Sequence, residues 1–453
     1  MTKSFKKYLG GWKIFFISIT AILLFIFLLE FKIVGQAVYG DGRYYLAFTR
    51  SIYFSQNVDI SDEMNHYWSP ESNNKPAGFT PVPKLQGKIG ETTYNFSLGS
   101  SIIWLPFYTA ADTIVITLSA FGLPFIRNGY SDIYQIVLGF GNIFFVISGL
   151  FILSRLMLRR YQTRIVALSL ILIVFATNLL YYGSLDVVNS HPFSFFGSSL
   201  LIYLFFQYKG KTNFKNIFLQ GIVLGLMTSN RTQDVVFILI PFASILANTE
   251  LKKRKLPDQT RLIILFLLGL FLGYLPELII LSFGQGKLFL TPHLIKASSD
   301  FYPLAHTLGV LFDRKLGLFY YMPILLIAFA GLFLYHRRLK LFGGVFIAIS
   351  LANFLLISSY DGWNTAGYTI RYFISSLPLL AFGLAEIILY LKKKFSYLPI
   401  YSISLLFILH QLVAIAVFKL LFQDPTYVGS QLSQSGQLKI LILQTLNQAL
   451  SNF

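Results

Sequence analysis

The chain has 453 residues, of which 55% are hydrophobic, 17% are aromatic and 12% are charged, with a mean hydropathy of +0.64. Apolar runs of about 20 residues recur along it, each long enough to cross about 30 Å of hydrocarbon, which indicates a membrane protein. The net charge of +18 does not indicate a nucleic-acid partner, because 22 of the 37 Lys and Arg fall in short gaps between apolar runs. The absence of cysteine excludes disulfides, thiolate catalysis and zinc–thiolate sites.

The first apolar run has no cleavage pattern after it, so it is expected to remain as the first span. Hydropathy predicts an all-α polytopic protein, with residues 1–453 forming a single membrane domain. Eleven spans are predicted, at 12–31, 133–153, 163–182, 192–207, 216–230, 233–248, 261–283, 317–335, 341–359, 372–391 and 397–420.

The basic gaps set the predicted topology. They lie at alternate ends of these spans, around 3–13, 155–164, 209–215, 252–261, 337–340 and 392–394, and acids are rare in them. By the positive-inside rule these gaps are cytoplasmic. The loops 32–132, 183–191, 284–316 and 360–371 and the tail 421–453 then share the extracytoplasmic side. The run 98–121 is also long enough to span. Counting it as a span would move every later basic gap to the extracytoplasmic side. It is therefore predicted to be a re-entrant or interfacial helix kinked at Pro106.

The first outer loop opens with Gly40-Asp41-Gly42-Arg43-Tyr44-Tyr45. Asp41, Tyr45, Phe48 and Ile52 have helical spacing, which predicts an amphipathic helix at the membrane surface with the acid near one end. A second group of acids follows, consisting of Asp59, Asp62 and Glu63, and then a Pro- and Gly-rich passage over 70–90.

Several short motifs, taken in order, resemble the GT-C superfamily of integral-membrane glycosyltransferases. The resemblance covers about 12–400 and is nearest to the branch of protein O-mannosyltransferases and the lipid A aminoarabinose transferase. The motifs are Asp41 after the first span, Asn95-Phe96-Ser97-Leu98-Gly99, Trp104-Leu105-Pro106-Phe107, Ser190-His191, Ser229-Asn230-Arg231, Leu316-Gly317-Leu318-Phe319 before Pro323, Trp363, and Gly367 through Arg371-Tyr372-Phe373.

The resemblance implies a polyprenyl-phosphate-linked sugar donor, transfer on the extracytoplasmic face, and Asp41 as the catalytic base. Such chemistry needs one base for the acceptor hydroxyl and cations for the departing phosphate. The acceptor would be a hydroxyl of a protein, a lipid or a cell-envelope glycan, and the membrane a bacterial cytoplasmic membrane. The candidate donor-binding residues are Arg43, His191, Arg231, Arg314, Lys315, Arg371 and Tyr372.

The cofactor stays open between a divalent cation, Mg²⁺ or Mn²⁺, and none. Asp41, Asp59 and Asp62 could be oxygen ligands of a hard cation, as could Glu63, but the sequence favours solvated loop charges for the acids at 59–63.

Each candidate residue also has a structural interpretation. Asp41 could cap its helix, Arg231 could pair with Asp234, and Arg371 with Asp361. Arg314 and Lys315 could hold lipid headgroups, and His191 could be a core or capping histidine.

Two other functional classes fit a polytopic chain. A polysaccharide polymerase or ligase using polyprenyl-pyrophosphate donors also works outside the membrane with arginine-rich loops. Such an enzyme does not require an acid directly after the first span, so Asp41 discriminates against it. A secondary transporter usually carries ionisable groups at mid-membrane, where this chain offers only Glu277, Glu386 and His410.

Overall fold

A computed structural model of the chain describes residues 3–68, 97–207, 214–246, 256–285, 301–364 and 367–419. Within these ranges the chain is helical, as the hydropathy predicts. The α-helices are α1 (Lys3–Val34), α2 (Gly40–Arg50), α3 (Ser61–Trp68), α4 (Gly99–Ala120), α5 (Asp132–Met157), α6 (Thr163–Phe175), α7 (His191–Phe206), α8 (Phe214–Asn230), α9 (Leu239–Leu246), α10 (Leu256–Gln285), α11 (Thr307–Phe312), α12 (Leu318–Tyr321), α13 (Ile324–Arg338), α14 (Lys340–Ser359), α15 (Leu377–Lys392) and α16 (Tyr397–Val417).

Shorter helical turns of other types adjoin five of these helices. Two π-helical turns follow α2 and α6, at Ser51–Ser55 and Tyr181–Leu185. Two 3₁₀ helices, Thr232–Ile238 and Arg371–Ser376, lead directly into α9 and α15, and a third, Asp361–Asn364, follows α14. The passage 70–90, the basic residues 209–211 and 252–255, and the tail 421–453 lie outside the described residues.

Seven of the described helical segments are long and apolar enough to cross a membrane, among them Gly11–Val34 and Arg371–Lys392. Three shorter apolar helices, Thr163–Phe175, His191–Phe206 and Thr232–Leu246, accompany them. The chain is therefore a multi-pass membrane protein. The count of eleven spans stays a prediction.

Helices α8 and α10 approach each other through facing glycines. Gly221 and Gly225 on α8, and Gly269 and Gly273 on α10, each lie where a Cβ atom would collide with a carbonyl oxygen of the other helix. Small residues spaced by four allow this close contact between helices in lipid, where backbone packing replaces the hydrophobic effect. The contact fixes the end of α8, and therefore Arg231 just after it.

Helix α4 packs antiparallel to α5, so that its beginning is level with the middle of α5. Trp104 Nε1 donates to Asn142 Oδ1 at 3.2 Å, and further along α4 Asp112 Oδ1 accepts from Tyr134 Oη at 2.6 Å. Pro106 lies inside α4. The assignment of 98–121 as re-entrant or interfacial stays a prediction, but the pairing places Gly99 deep within the helical bundle.

Candidate functional site

Asp41 is the second residue of α2, as the helical spacing predicts. The start of α2 lies directly against the chain before α7, because a Cβ atom on Gly42 would collide with the carbonyl oxygen of Val188. The side chain of Asp41 is 30% exposed, and its Oδ2 lies 3.0 Å from Nη2 of Arg371. The Arg371 guanidinium therefore holds one of the two carboxylate oxygens of Asp41.

Arg371 is the first residue of the 3₁₀ helix that leads into α15. Its side chain is 13% exposed. The turn before it is fixed by Tyr182, whose hydroxyl accepts from the Tyr368 amide at 2.8 Å and donates to the Tyr368 carbonyl at 3.1 Å. Gly367 has a φ of +143° and lies against both the Tyr182 hydroxyl and the Arg371 guanidinium, where a larger residue would be strained.

Arg231 follows α8 and faces the same tyrosine as Arg371. The guanidinium carbons of Arg231 and Arg371 lie 5.0 and 5.6 Å from the centre of the Tyr372 ring, within the range of cation–π contacts. Nη1 of Arg231 donates to Ser190 Oγ at 2.9 Å, while its Nε is buried without a partner in the part of the chain that the structure describes. Two cations therefore contact the Tyr372 ring, and the Arg231 guanidinium has unused donor capacity.

A buried polar network positions Arg231. Asn230 accepts from Ser100 Oγ at 2.7 Å and donates to the Ser190 carbonyl at 2.9 Å and to Ser194 Oγ at 3.0 Å. A Cβ atom on Gly99 would collide with the Asn230 amide, so α4 begins in direct contact with the end of α8. This network brings together Gly99, from the motif at 95–99, with the motifs at 190–191 and 229–231. Asn95 and Phe96 lie outside the described residues.

Three further residues near Asp41, Arg231 and Arg371 are buried. His191 is 2% exposed, its ring centroid lies 4.7 Å from that of Tyr182, and it is within electrostatic reach of Arg231 and Arg371. Arg43 is 3% exposed. Tyr45, one helical turn after Asp41, has its pKa raised to about 12 by burial and by Asp41. Its hydroxyl is therefore protonated at neutral pH and can donate a hydrogen bond.

The structure adds Asp186, which the sequence reasoning missed. It follows the π-helical turn 181–185 in the loop before α7. Burial raises the pKa of Asp186 to about 7, an effect that Arg371 opposes and Asp41 increases. Its Oδ1 is buried without a hydrogen-bond partner among the described residues. The available signal was its position, since Asp186 is the one acid in the predicted outer loop 183–191, directly before the Ser190-His191 motif.

The acids of the second group are not part of this site. Glu63 Oε1 pairs with Nη1 of Arg50 at 2.7 Å, and Arg50 is the last residue of α2. Nine residues of helix, about 13 Å, therefore separate this contact from Asp41. Asp59 Oδ1 instead accepts from the amide and hydroxyl of Ser61 at the start of α3, at 3.0 and 2.6 Å.

The suggested metal ligands also need correction. No group of three or more His, Cys, Asp or Glu that could hold a metal ion occurs among the described residues. Asp41, Asp59 and Asp62 therefore do not form the ligand set that the sequence allowed, because α2 keeps the first acid apart from the other two.

Two other candidates, Arg314 and Lys315, make no described contact with the site. Both are exposed in the turn between α11 and α12, and no described contact joins either to Asp41 or Arg371. The turn is held by the Asp313 side chain, which accepts from the Lys315 amide at 2.7 Å.

The two alternative ion pairs considered from the sequence do not form. Asp361 Oδ1 lies 3.3 Å from Nε2 of His306, not beside Arg371. Asp234 Oδ2 accepts from Ser194 Oγ at 2.6 Å, so it supports the network behind Arg231 without an ion pair to it.

Comparison with solved structures shows that the chain has a known fold. The crystal structure of ArnT from Cupriavidus metallidurans bound to undecaprenyl phosphate aligns with a TM-score of 0.51 at 13% identity. The fold is similar to that of ArnT. The alignment covers 92% of this chain and 65% of ArnT, so the chain spans about two thirds of the length of ArnT. No family model and no curated protein matches the sequence.

Proposed function

We propose that the protein is an inverting GT-C glycosyltransferase that moves a sugar from a polyprenyl-phosphate donor to a hydroxyl acceptor. The observation that carries the proposal is the pairing of Asp41 with Arg371, together with the contact of both Arg371 and Arg231 with the Tyr372 ring. One carboxylate and two guanidiniums beside each other are the groups that base catalysis and phosphate departure require. The similarity to ArnT, crystallised with undecaprenyl phosphate, supports a lipid-phosphate donor.

The geometry suggests how each group acts. Oδ1 of Asp41 takes the proton of the acceptor hydroxyl while the acceptor oxygen forms a bond to the anomeric carbon. The bond between that carbon and the phosphate oxygen breaks, and the phosphate leaves with the bonding electron pair. Arg371 and Arg231 stabilise the charge that develops on the phosphate. Attack from the face opposite the phosphate inverts the anomeric configuration.

Arg371 has a second task in this proposal. Its bond to Oδ2 of Asp41 orients the carboxylate, so that the base and the phosphate site are built around one guanidinium. A guanidinium has five donors in a planar fork and can contact a carboxylate and a phosphate together. Donor binding would then place the anomeric carbon next to the base.

The function is tested directly by transfer in vitro. Purified protein in lipid would be given a synthetic polyprenyl-phosphate sugar and a panel of hydroxyl acceptors, with release of the polyprenyl phosphate as the readout. Mass analysis of surface glycans and glycoproteins from cells with and without the gene would identify the sugar and the acceptor. A chain that releases no polyprenyl phosphate from any such donor and leaves the glycans unchanged would contradict the proposal.

The site is proposed to face the extracytoplasmic side of a bacterial cytoplasmic membrane. We expect a cysteine replacing Ser55 or Asn364, both exposed, to react with an impermeant thiol reagent applied outside, and one replacing exposed Gln162 to be protected. The native chain has no cysteine, so background labelling is absent. Labelling at 55 and 162 with protection at 364 would mean that α4 spans the membrane and that the later topology is reversed.

Asp186 predicts a pH dependence of donor binding. With its pKa near 7, it is mostly neutral below that pH and becomes ionised above it, adding negative charge near Arg371. We expect the affinity for a phosphodiester donor analogue to fall about threefold to tenfold as the pH rises through 7. The analogue keeps one charge throughout, unlike a monoester with its second pKa of about 6.

The matched control is Asp186→Asn, which keeps the size of the side chain but cannot ionise. In that variant the decrease between pH 6 and 8 should be absent. Equal decreases in the wild type and the variant, measured by ligand titration in lipid nanodiscs, would show that another group titrates.

A further inference from the structure

A separate cavity with charged side chains in its lining lies at the far end of α15 from Arg371. Its volume is about 280 Å³, and it opens between the last turns of α13 and α15. Residues Arg371–Lys392 form one helical path, so about 30 Å separates the cavity from the candidate site along it. The cavity is lined by three cations, Arg337, Arg338 and Lys393, by one acid, Glu386, and by apolar residues that include Leu334 and Leu389.

One of the three cations is already neutralised. Arg338 Nη1 lies 3.0 Å from Oε1 of Glu386, which also accepts from the Tyr161 hydroxyl at 2.6 Å. Arg337 and Lys393 are exposed and have no ion pair in the part of the chain that the structure describes. Both lie at helix carbonyl ends, where the helix dipole favours a cation. The cavity nevertheless keeps a net positive charge, with two cations whose donors are not used.

We propose that this cavity binds a phosphate group, with Arg337 and Lys393 as its ligands. Its volume is below the roughly 300–1,000 Å³ of sites for drug-sized ligands, and suits a headgroup or a small anion. Basic pockets between membrane helices bind phosphate-bearing headgroups in this way. Leu334 and Leu389 would contact the apolar part of a lipid, and the fixed Arg338 would form the base of the pocket.

The test uses the full chain in detergent and measures binding by native mass spectrometry. Phosphatidylglycerol, diacylglycerol of the same acyl chains, and inorganic phosphate are titrated separately. We expect Arg337→Gln/Lys393→Gln to weaken binding of the phosphate ligand about 30-fold, the effect of removing two charges near an anionic headgroup. Diacylglycerol, which lacks the phosphate, should not bind the cavity in either protein.

The control is Arg159→Gln/Lys340→Gln, which removes two exposed cations whose side chains do not line the cavity. It should bind phosphate ligands as the wild type does. If Arg337→Gln/Lys393→Gln weakens binding of phosphatidylglycerol, the ligand is a lipid headgroup. If it weakens binding of inorganic phosphate, the ligand is a soluble anion. Either result supports the site. Equal binding by the two double variants, or equal binding of diacylglycerol and phosphatidylglycerol, would overturn it.

Discussion

Replacing Asp41 by Asn is expected to lower sugar transfer about 10²- to 10⁴-fold, the scale of a lost general base. The asparagine keeps the size of the side chain and an oxygen that can still accept from Arg371, but it cannot take a proton from the acceptor. Protein yield and donor affinity should therefore change little. The measurement is a comparison of turnover number and donor dissociation constant for the two proteins in the same lipid.

The matched control is Asp59→Asn, in which the same chemical change is made at an acid that caps α3 about 13 Å or more from the site. We expect a small loss of stability and little change in turnover. Near-wild-type transfer by Asp41→Asn, together with inactivity of Asp59→Asn or Glu63→Gln, would show that the base belongs to the second group of acids.

Replacing Arg371 by Gln is expected to reduce both donor binding and turnover, because this guanidinium contacts Asp41 and is proposed to contact the phosphate. Truncating one partner of a buried charge pair costs about 2–5 kcal/mol. Because Asp41 is 30% exposed, we expect the lower part of this range, about 2–3 kcal/mol, which corresponds to roughly 30-fold to 150-fold in kcat/KM. Arg371→Lys should restore only part of the activity, because an ammonium lacks the planar fork.

Arg231→Gln separates binding of the donor phosphate from orientation of the Asp41 carboxylate. Arg231 does not contact Asp41 and donates to Ser190 instead, so its loss should weaken donor binding with less effect on turnover. Arg314→Gln, an exposed change outside the site, is the charge control. If both Arg231→Gln and Arg371→Gln fold and bind the donor analogue as the wild type does, the two arginines are structural.

The helices could be predicted from hydropathy because transfer into lipid depends on local composition. The predicted spans at 133–153 and 341–359 coincide with α5 and α14. The predicted continuous span at 163–182 does not, since α6 ends at Phe175. The reason is tertiary: the buried Asn178 donates through its amide to Met322 Sδ at 3.1 Å and through its side chain to the Ile370 carbonyl at 3.3 Å. A hydropathy window cannot register these long-range contacts.

The apolar pattern also did not predict which segments form 3₁₀ helices instead of α-helices. The predicted spans at 233–248 and 372–391 each begin in the structure with a 3₁₀ helix, and both of these segments adjoin the site. The tighter turn rotates successive side chains differently from an α-helix. The directions of Arg371 and Tyr372 follow from that turn and from Gly367, not from the period of the apolar residues.

The sequence by itself determined that the chain is a helical membrane protein and that Asp41 lies near the start of a helix after the first apolar run. These properties depend on composition and on spacing within one or two turns. The predicted position of this helix at the membrane surface did not anticipate that most of its residues are buried in the protein. The tertiary structure alone decided that Arg371 pairs with Asp41 while Asp361 does not, that Asp59 and Glu63 lie away from the site, and that Asp186 joins it. Such pairings depend on how closely distant helices approach, which is set here by backbone contacts at Gly42 and Gly99 that no local pattern encodes.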